Sequence, residues 1–140
     1  MDTYSSAYAY SYVSNGKISS SFINVGSWWT DIYGTDFGTY SLQTIHHEIG
    51  HAIGLGHQGN YNGHTSYSNA NYSNDSWQSS VMSYFSQREN TSVDASYAFL
   101  STFSAVDLIA LEDLYYPEGY SLSNSFTGDT TYGFNTNISL

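Results

Sequence analysis

His47-Glu48-Ile49-Gly50-His51-Ala52-Ile53-Gly54-Leu55-Gly56-His57 is the stretch whose reading decides the fold. Residues four apart share a helix face, so a helix here presents His47 and His51 to one point in space. Glu48 stands one step round from His47 and reaches a metal-bound water rather than the metal. A third ligand cannot come from the same straight helix at a useful angle. Gly54 supplies the way out, because glycine takes positive φ and ends helices, and the turned chain brings back His57. Three imidazoles with one open position are the donor set of a catalytic zinc site. The chain has no cysteine, which excludes the usual structural zinc arrangements. One catalytic Zn2+ is therefore expected on His47, His51 and His57, with Glu48 as general base. His46 lies about 100° round the helix from His47 and is expected to stay off the metal. His64 is expected to face solvent.

The 140 residues are expected to form one domain. Net charge is −10, and Lys17 and Arg88 are the only basic side chains, so nucleic acid and anionic membrane surfaces are excluded as partners. No run approaches the ~20 apolar residues of a membrane span. Met1-Asp2-Thr3-Tyr4 opens with neither the basic nor the apolar region of a signal peptide. Lack of cysteine suits an exported protein and a cytosolic one equally.

Outward from the histidines, alternation over residues 4–13 predicts a strand with Tyr8, Tyr10 and Tyr12 on one face. Asn15-Gly16 is a hairpin turn signal, and residues 17–25 predict the returning strand. There Ile23 and Val25 share one face, Ile18 and Phe22 the other. Residues 26–40 read as a loop in which Trp28 and Trp29 form a small cluster. Ser41 is a candidate N-cap for a helix running to about Ile53, with Ile45, Ile49, Ala52 and Ile53 toward the core. Residues 58–80 are a polar segment without periodicity. A second helix is expected from about Ala105 to Tyr115, opened by a capping box of Ser104 and Asp107. Its expected buried face is Val106, Ile109, Ala110 and Leu114. The last twenty residues read as irregular or strand-like.

Val81-Met82-Ser83-Tyr84 completes the candidate site. Met82 is the only methionine besides Met1, hence the candidate thioether packed beneath the imidazoles. Tyr84, two residues on, would lie near the metal, able to ligate zinc or to hydrogen-bond a tetrahedral intermediate.

The pattern HExxHxxGxxH with a downstream methionine turn resembles the metzincin zinc endopeptidases, and its details resemble the serralysin group. After His57 that group usually carries Pro-Gly-Asp-Tyr-Asn, where this chain has Gln58-Gly59-Asn60-Tyr61-Asn62. Met82-Ser83-Tyr84 matches the group's methionine turn. Gly128-Asp129-Thr130-Thr131-Tyr132-Gly133-Phe134-Asn135 resembles its passage into calcium-binding repeats.

The resemblance implies an α+β, metzincin-like (zincin) catalytic domain with a reduced sheet, an active-site helix, a methionine turn and a C-terminal helix. Residues 1–57 would hold the sheet and zinc helix, and residues 58–140 the lower subdomain, in a shortened catalytic domain without the repeats. It further implies hydrolysis of peptide bonds in extended polypeptides by zinc-activated water. Ala7, Tyr8, Ala9 and Tyr10 would bind substrate along an edge strand. Calcium is indicated by no motif. A secreted, extracellular location is expected from the family, and a dimer or a partner is expected to cover the incomplete sheet. The alternative is a catalytically inactive, zinc-stabilised peptide-binding remnant, or a fragment of a longer peptidase.

Overall fold

The computed structural model describes residues 4–119. The expected repeat-like stretch at residues 128–135 and the last twenty residues lie outside them. In chain order the elements are β1 (Ala7–Ser14), β2 (Lys17–Val25), α1 (Ser27–Tyr33), α2 (Tyr40–Ala52), a 3-10 turn (Tyr67–Asn69), α3 (Ala105–Tyr115) and a 3-10 turn (Tyr116–Glu118). Together they make a small α+β arrangement. Among the described residues, no helix is long and apolar enough to cross a membrane.

The hairpin follows from its turn. Asn15 and Gly16 take φ of 53° and 75°, the paired left-handed conformation that matches strand twist. Antiparallel pairing runs from Ala7 opposite Val25 to Ser14 opposite Lys17, with a register shift beside Tyr12 and Val13. Tyr12 faces Ser20 and Val13 faces Ile18, so Ser19 is the extra residue of a bulge, and its hydroxyl donates to Tyr12 O. A one-residue slip moves a side chain to the opposite face. Ile18 therefore leaves the face of Phe22, where alternation had put it, and lies against Gly54.

Small side chains on the inner face let α2 close on the sheet. The Ser11 and Ser21 hydroxyls both donate to Ala52 O, at 3.3 and 2.6 Å, satisfying a carbonyl that a helix C-terminus leaves unpaired. The outer face is aromatic and exposed: Tyr10 and Phe22 stack at 5.3 Å, and Tyr12 meets Tyr10 edge-on.

Two helix boundaries differ from expectation. Residues 27–33 are helical rather than loop, because Trp28, Trp29 and Tyr33 converge on one another and Trp29 and Tyr33 on Tyr40. The cap of α2 is Thr39, whose hydroxyl accepts from Leu42 N, rather than Ser41. Ser41 is fully buried and donates to Gly34 O instead. Along α2 the buried side is Ser41, Gln43, Thr44, Glu48, Gly50 and Ala52, while Ile45, Ile49 and Ile53 are half-buried.

α3 has the expected bounds and capping box. Its buried residues are Asp107 and Leu111, whereas Val106, Ile109, Ala110 and Leu114 are exposed, contrary to the expected face. The reason is the cap itself: turning Asp107 inward brings in Leu111, one turn on, and carries Val106, Ile109 and Ala110 outward.

Apolar burial concentrates below α2, in Trp77, Val81, Met82, Phe85 and Leu111. Around them Asp75, Ser76, Ser80, Ser83, Ser86, Gln87 and Asn90 are also buried, so this half of the core is largely polar.

Candidate metal centre

Helix α2 carries His47, Glu48 and His51 and stops just beyond. Ile53 closes it with its amide on Ile49 O, and Gly54 takes φ of 104°, a region costly for any residue with a Cβ. A Cβ at Gly54 would also stand 2.8 Å from Leu114 Cδ2. The chain then turns back, and His51 and His57 bring their Nε2 atoms to 3.0 Å. One ligand atom from each of His47, His51 and His57 lies within 4.8 Å of the others.

The opposite ring nitrogens explain this convergence. His47 Nδ1–H donates to Val81 O at 2.8 Å, His51 Nδ1–H to Leu55 O at 2.9 Å and His57 Nδ1–H to Tyr61 O at 2.8 Å. A carbonyl only accepts, so each proton sits on Nδ1 and each Nε2 keeps a lone pair. Facing lone pairs repel unless a cation stands between them. The donor set therefore fits a divalent metal of the zinc class, with ligand type and number matching an open site.

Burial first, and then the neighbouring imidazoles, lower the His47 pKa from its ordinary value to about 4. Burial likewise lowers His57. Both rings thus stay neutral at neutral pH, as metal ligation requires. Beside them Glu48 is 6% exposed, its Oε2 has no partner among the described residues, and burial pushes its pKa up to about 7.

Tyr84 packs its ring 4.4 Å from His57 and 5.8 Å from His47 between ring centres. Burial raises its phenol, the Gly63 amide lowers it, and the Glu48 charge raises it. Met82 sits under α2 with its sulfur against Gly50. Ala7, Tyr8 and Ala9 of β1 line a cavity together with the three histidines, Glu48 and Tyr84. The Tyr10 side chain does not join them. It stacks on Phe22 on the outer face, which leaves only its main chain on this edge. His46 bonds Leu42 O within its own helix, and His64 is exposed.

No family model matches the chain. Curated relatives do. Serralysin C of Dickeya chrysanthemi is 41% identical over 110 residues, covering 76% of this chain and 22% of that protein. The metallopeptidase AprA of Pseudomonas marginalis is 41% identical over 108 residues, covering 73% and 22%. Serralysin B of Dickeya chrysanthemi is 40% identical over 121 residues, covering 80% and 24%. The chain is a relative of the serralysins. It spans about a fifth of the length of the curated relatives it matches.

Several residues of this serralysin-like site escaped the sequence reading. Gly50 is one, because a Cβ there would collide with Met82 Sδ and lie 3.2 Å from its Cε. Tyr61 is another: its carbonyl holds His57, its ring stacks on the same imidazole, and its hydroxyl donates to Asp75 at 3.0 Å and accepts from Tyr84 N at 3.3 Å. Asp107 accepts from Val81 N at 3.0 Å and Ser80 Oγ at 2.5 Å, so its carboxylate steadies Val81, the residue whose carbonyl orients His47. Gln58 donates its amide to Met82 O, a bond that the proline usual in the group cannot make. The one legible signal was the capping-box aspartate, and it pointed to a helix start rather than to the site.

Proposed function

We propose that the chain is the core of a zinc endopeptidase with a metzincin-like fold, hydrolysing peptide bonds in extended polypeptides. The observation that carries this is three Nε2 lone pairs converging beside the buried Glu48, whose Oε2 has no partner among the described residues. His47, His51 and His57 would hold the zinc, with Tyr84 completing the ligand set at rest. When bound, the ion supplies Lewis-acid activation of water and of the scissile carbonyl.

The chain's own groups do the rest. Glu48, with its pKa near 7, accepts a proton at neutral pH and returns it to the leaving amine. The Tyr84 hydroxyl, freed toward substrate, donates to the developing oxyanion. The free edge of β1 pairs with extended substrate through the main chain at Ala7, Tyr8, Ala9 and Tyr10. Residues 4–57 and 58–119 would form the upper and lower walls of one cleft. An extracellular setting is carried over from the family.

Casein hydrolysis tests this reading, run beside Glu48→Ala and a chelated sample. Turnover should fall by about 10²-fold or more in Glu48→Ala and vanish with the chelator. Equal turnover in wild type and Glu48→Ala would sink it. The exposed aromatic face of a two-stranded sheet favours one second reading, a peptide-binding remnant. It expects zinc binding and peptide affinity without turnover.

A further inference from the structure

A second cavity, about 330 Å³, opens on the other side of Glu48 and is walled by rings. Trp29, Tyr40, Trp77 and Phe85 line it, with His47, Glu48 and Glu89. Trp29 meets Tyr40 at 5.1 Å and Tyr40 meets Trp77 at 5.8 Å, so three of these rings form one continuous surface. The volume is enough for any single side chain, and size therefore does not decide the occupant.

Charge does. Glu89 Oε2 accepts from Ser86 N at 2.8 Å and Ser86 Oγ at 2.7 Å, which holds the carboxylate in one orientation. Oε1 has no hydrogen bond, and Glu89 no ion pair, among the described residues. The adjacent Arg88 does not neutralise it, because its guanidinium lies over Tyr97 at 4.4 Å. No lysine or arginine lines the cavity. Of the other polar side chains of the wall, Thr44 Oγ1 donates to Tyr40 O, Gln43 Oε1 accepts from Leu100 N and Ser83 Oγ donates to Asp75, while His64, exposed, Thr65 and Tyr84 line it as well. Trp29 Nε1–H is buried and has no partner among the described residues, so Trp29 offers its ring rather than a donor. Burial, then the Tyr33 and Tyr97 phenols, then the Glu89 charge raise the Tyr40 phenol, in keeping with a carboxylate close to that ring.

We propose that this cavity is a specificity pocket for a cationic side chain, lysine or arginine, on a residue flanking the scissile bond. The ring faces attract the cation and Glu89 pairs with it. A glutamate or aspartate side chain would meet Glu89 and Glu48 with no lysine or arginine beside them, and an uncharged one would leave the exposed Glu89 carboxylate to solvent and gain only the rings. This inference rests on the endopeptidase reading for its catalytic arm alone, since the pocket selects in binding as well.

The test uses peptides identical except at the two residues flanking the scissile bond, which carry arginine, lysine, methionine or glutamate in turn. With zinc-loaded wild type, kcat/KM should be about tenfold higher for arginine or lysine than for methionine. It should be lowest for glutamate, and the preference should shrink as salt rises. Glu89→Gln keeps an oxygen for Ser86 and should bring the arginine-to-methionine ratio toward one, with unchanged circular dichroism showing that it folds. In parallel, fluorescence anisotropy measures the same peptides binding to zinc-loaded Glu48→Ala. Cleavage without cationic preference overturns the pocket and leaves the endopeptidase intact. Absent cleavage with cation-selective binding overturns the endopeptidase and supports the pocket. Equal binding of all four peptides overturns the pocket whatever the turnover.

Discussion

The β1–β2 hairpin and the segment at residues 75–90 both flank the three histidines, and different physics holds each of them. In the hairpin, Tyr10, Tyr12, Val13, Ile18, Phe22 and Ile23 are all exposed, and cohesion comes from ladder bonds and from two serines on one helix carbonyl. In the lower segment Val81 and Phe85 are nearly inaccessible, yet most of their buried neighbours are polar and bonded. Asp75 accepts from Ser83 and Tyr61, Asn90 donates to Ser73 O and Asp75 O, and Trp77 Nε1 donates to Ser83 O. Apolar burial is forgiving about orientation, whereas buried hydrogen bonds are not. The orientation of His47 and His57 is thus fixed from below, through Val81 O and Tyr61 O, and the sheet supplies one wall of the cleft. On the proposed function, metal binding would depend on the lower half and substrate binding on the hairpin.

The largest expected effect lies in the lower half. Asp107→Ala strips the acceptor from Val81 N, Ser104 N and Ser80 Oγ at once. We expect about 3 kcal/mol of lost stability in urea unfolding, since buried donors left unpaired are costly. Zinc affinity should fall about tenfold as Val81 O loosens its hold on His47. A loss below about 1 kcal/mol would mean that the polar network is not what orders this half.

Next in size is a pH effect on the metal-free protein, measured in chelator. The His47 pKa is lowered on folding to about 4, so between there and 6.5 the unfolded chain binds more protons. Its contribution is fully present above 6.5 and is lost as pH falls through that window. Glu48 runs the other way: its pKa rises from 4.5 to about 7, so its contribution is lost as pH rises. The two nearly offset between pH 4.5 and 6.5, and wild type should change little there. Glu48→Gln removes one side of the balance. Its stability should fall with falling pH by about 1.4 kcal/mol per unit for the proton on His47. Parallel curves for the two proteins would show that Glu48 is not desolvated as its burial indicates.

Legibility in the sequence followed the range of the interactions. The hairpin turn, the helix stop at Gly54 and the capping box of α3 are decided within a few residues, and Asn15-Gly16, Gly54 and Ser104 with Asp107 announced them. The donor set was legible for the same reason, since the spacing of His47, Glu48 and His51 is helix pitch. Facing was not. Ile18 changed sides because Ser19 bulges, and α3 turned because Asp107 bonds Val81, twenty-six residues away. The helical residues 27–33 depend on Trp29 and Tyr33 meeting Tyr40. Gly50 meets Met82, and Tyr61 is anchored by Asp75 and Tyr84, distant partners that no local pattern names.

The smallest expected effect tests the other half of the comparison. Tyr12 is 63% exposed, and its ring touches only Tyr10 among the described aromatic pairs, edge-on at 5.6 Å. Tyr12→Ser should therefore cost about 0.5 kcal/mol or less, and leave zinc affinity alone because no bond to a histidine passes through it. The same substitution read at several protein concentrations sharpens the point. If the aromatic face is open in solution, the loss is small at every concentration. If a second copy covers the face, wild type gains stability with concentration by mass action and Tyr12→Ser does not. A loss above about 1.5 kcal/mol that grows with concentration would move the outer face of the hairpin from surface to interface. Close packing among the described residues would then extend beyond the lower half.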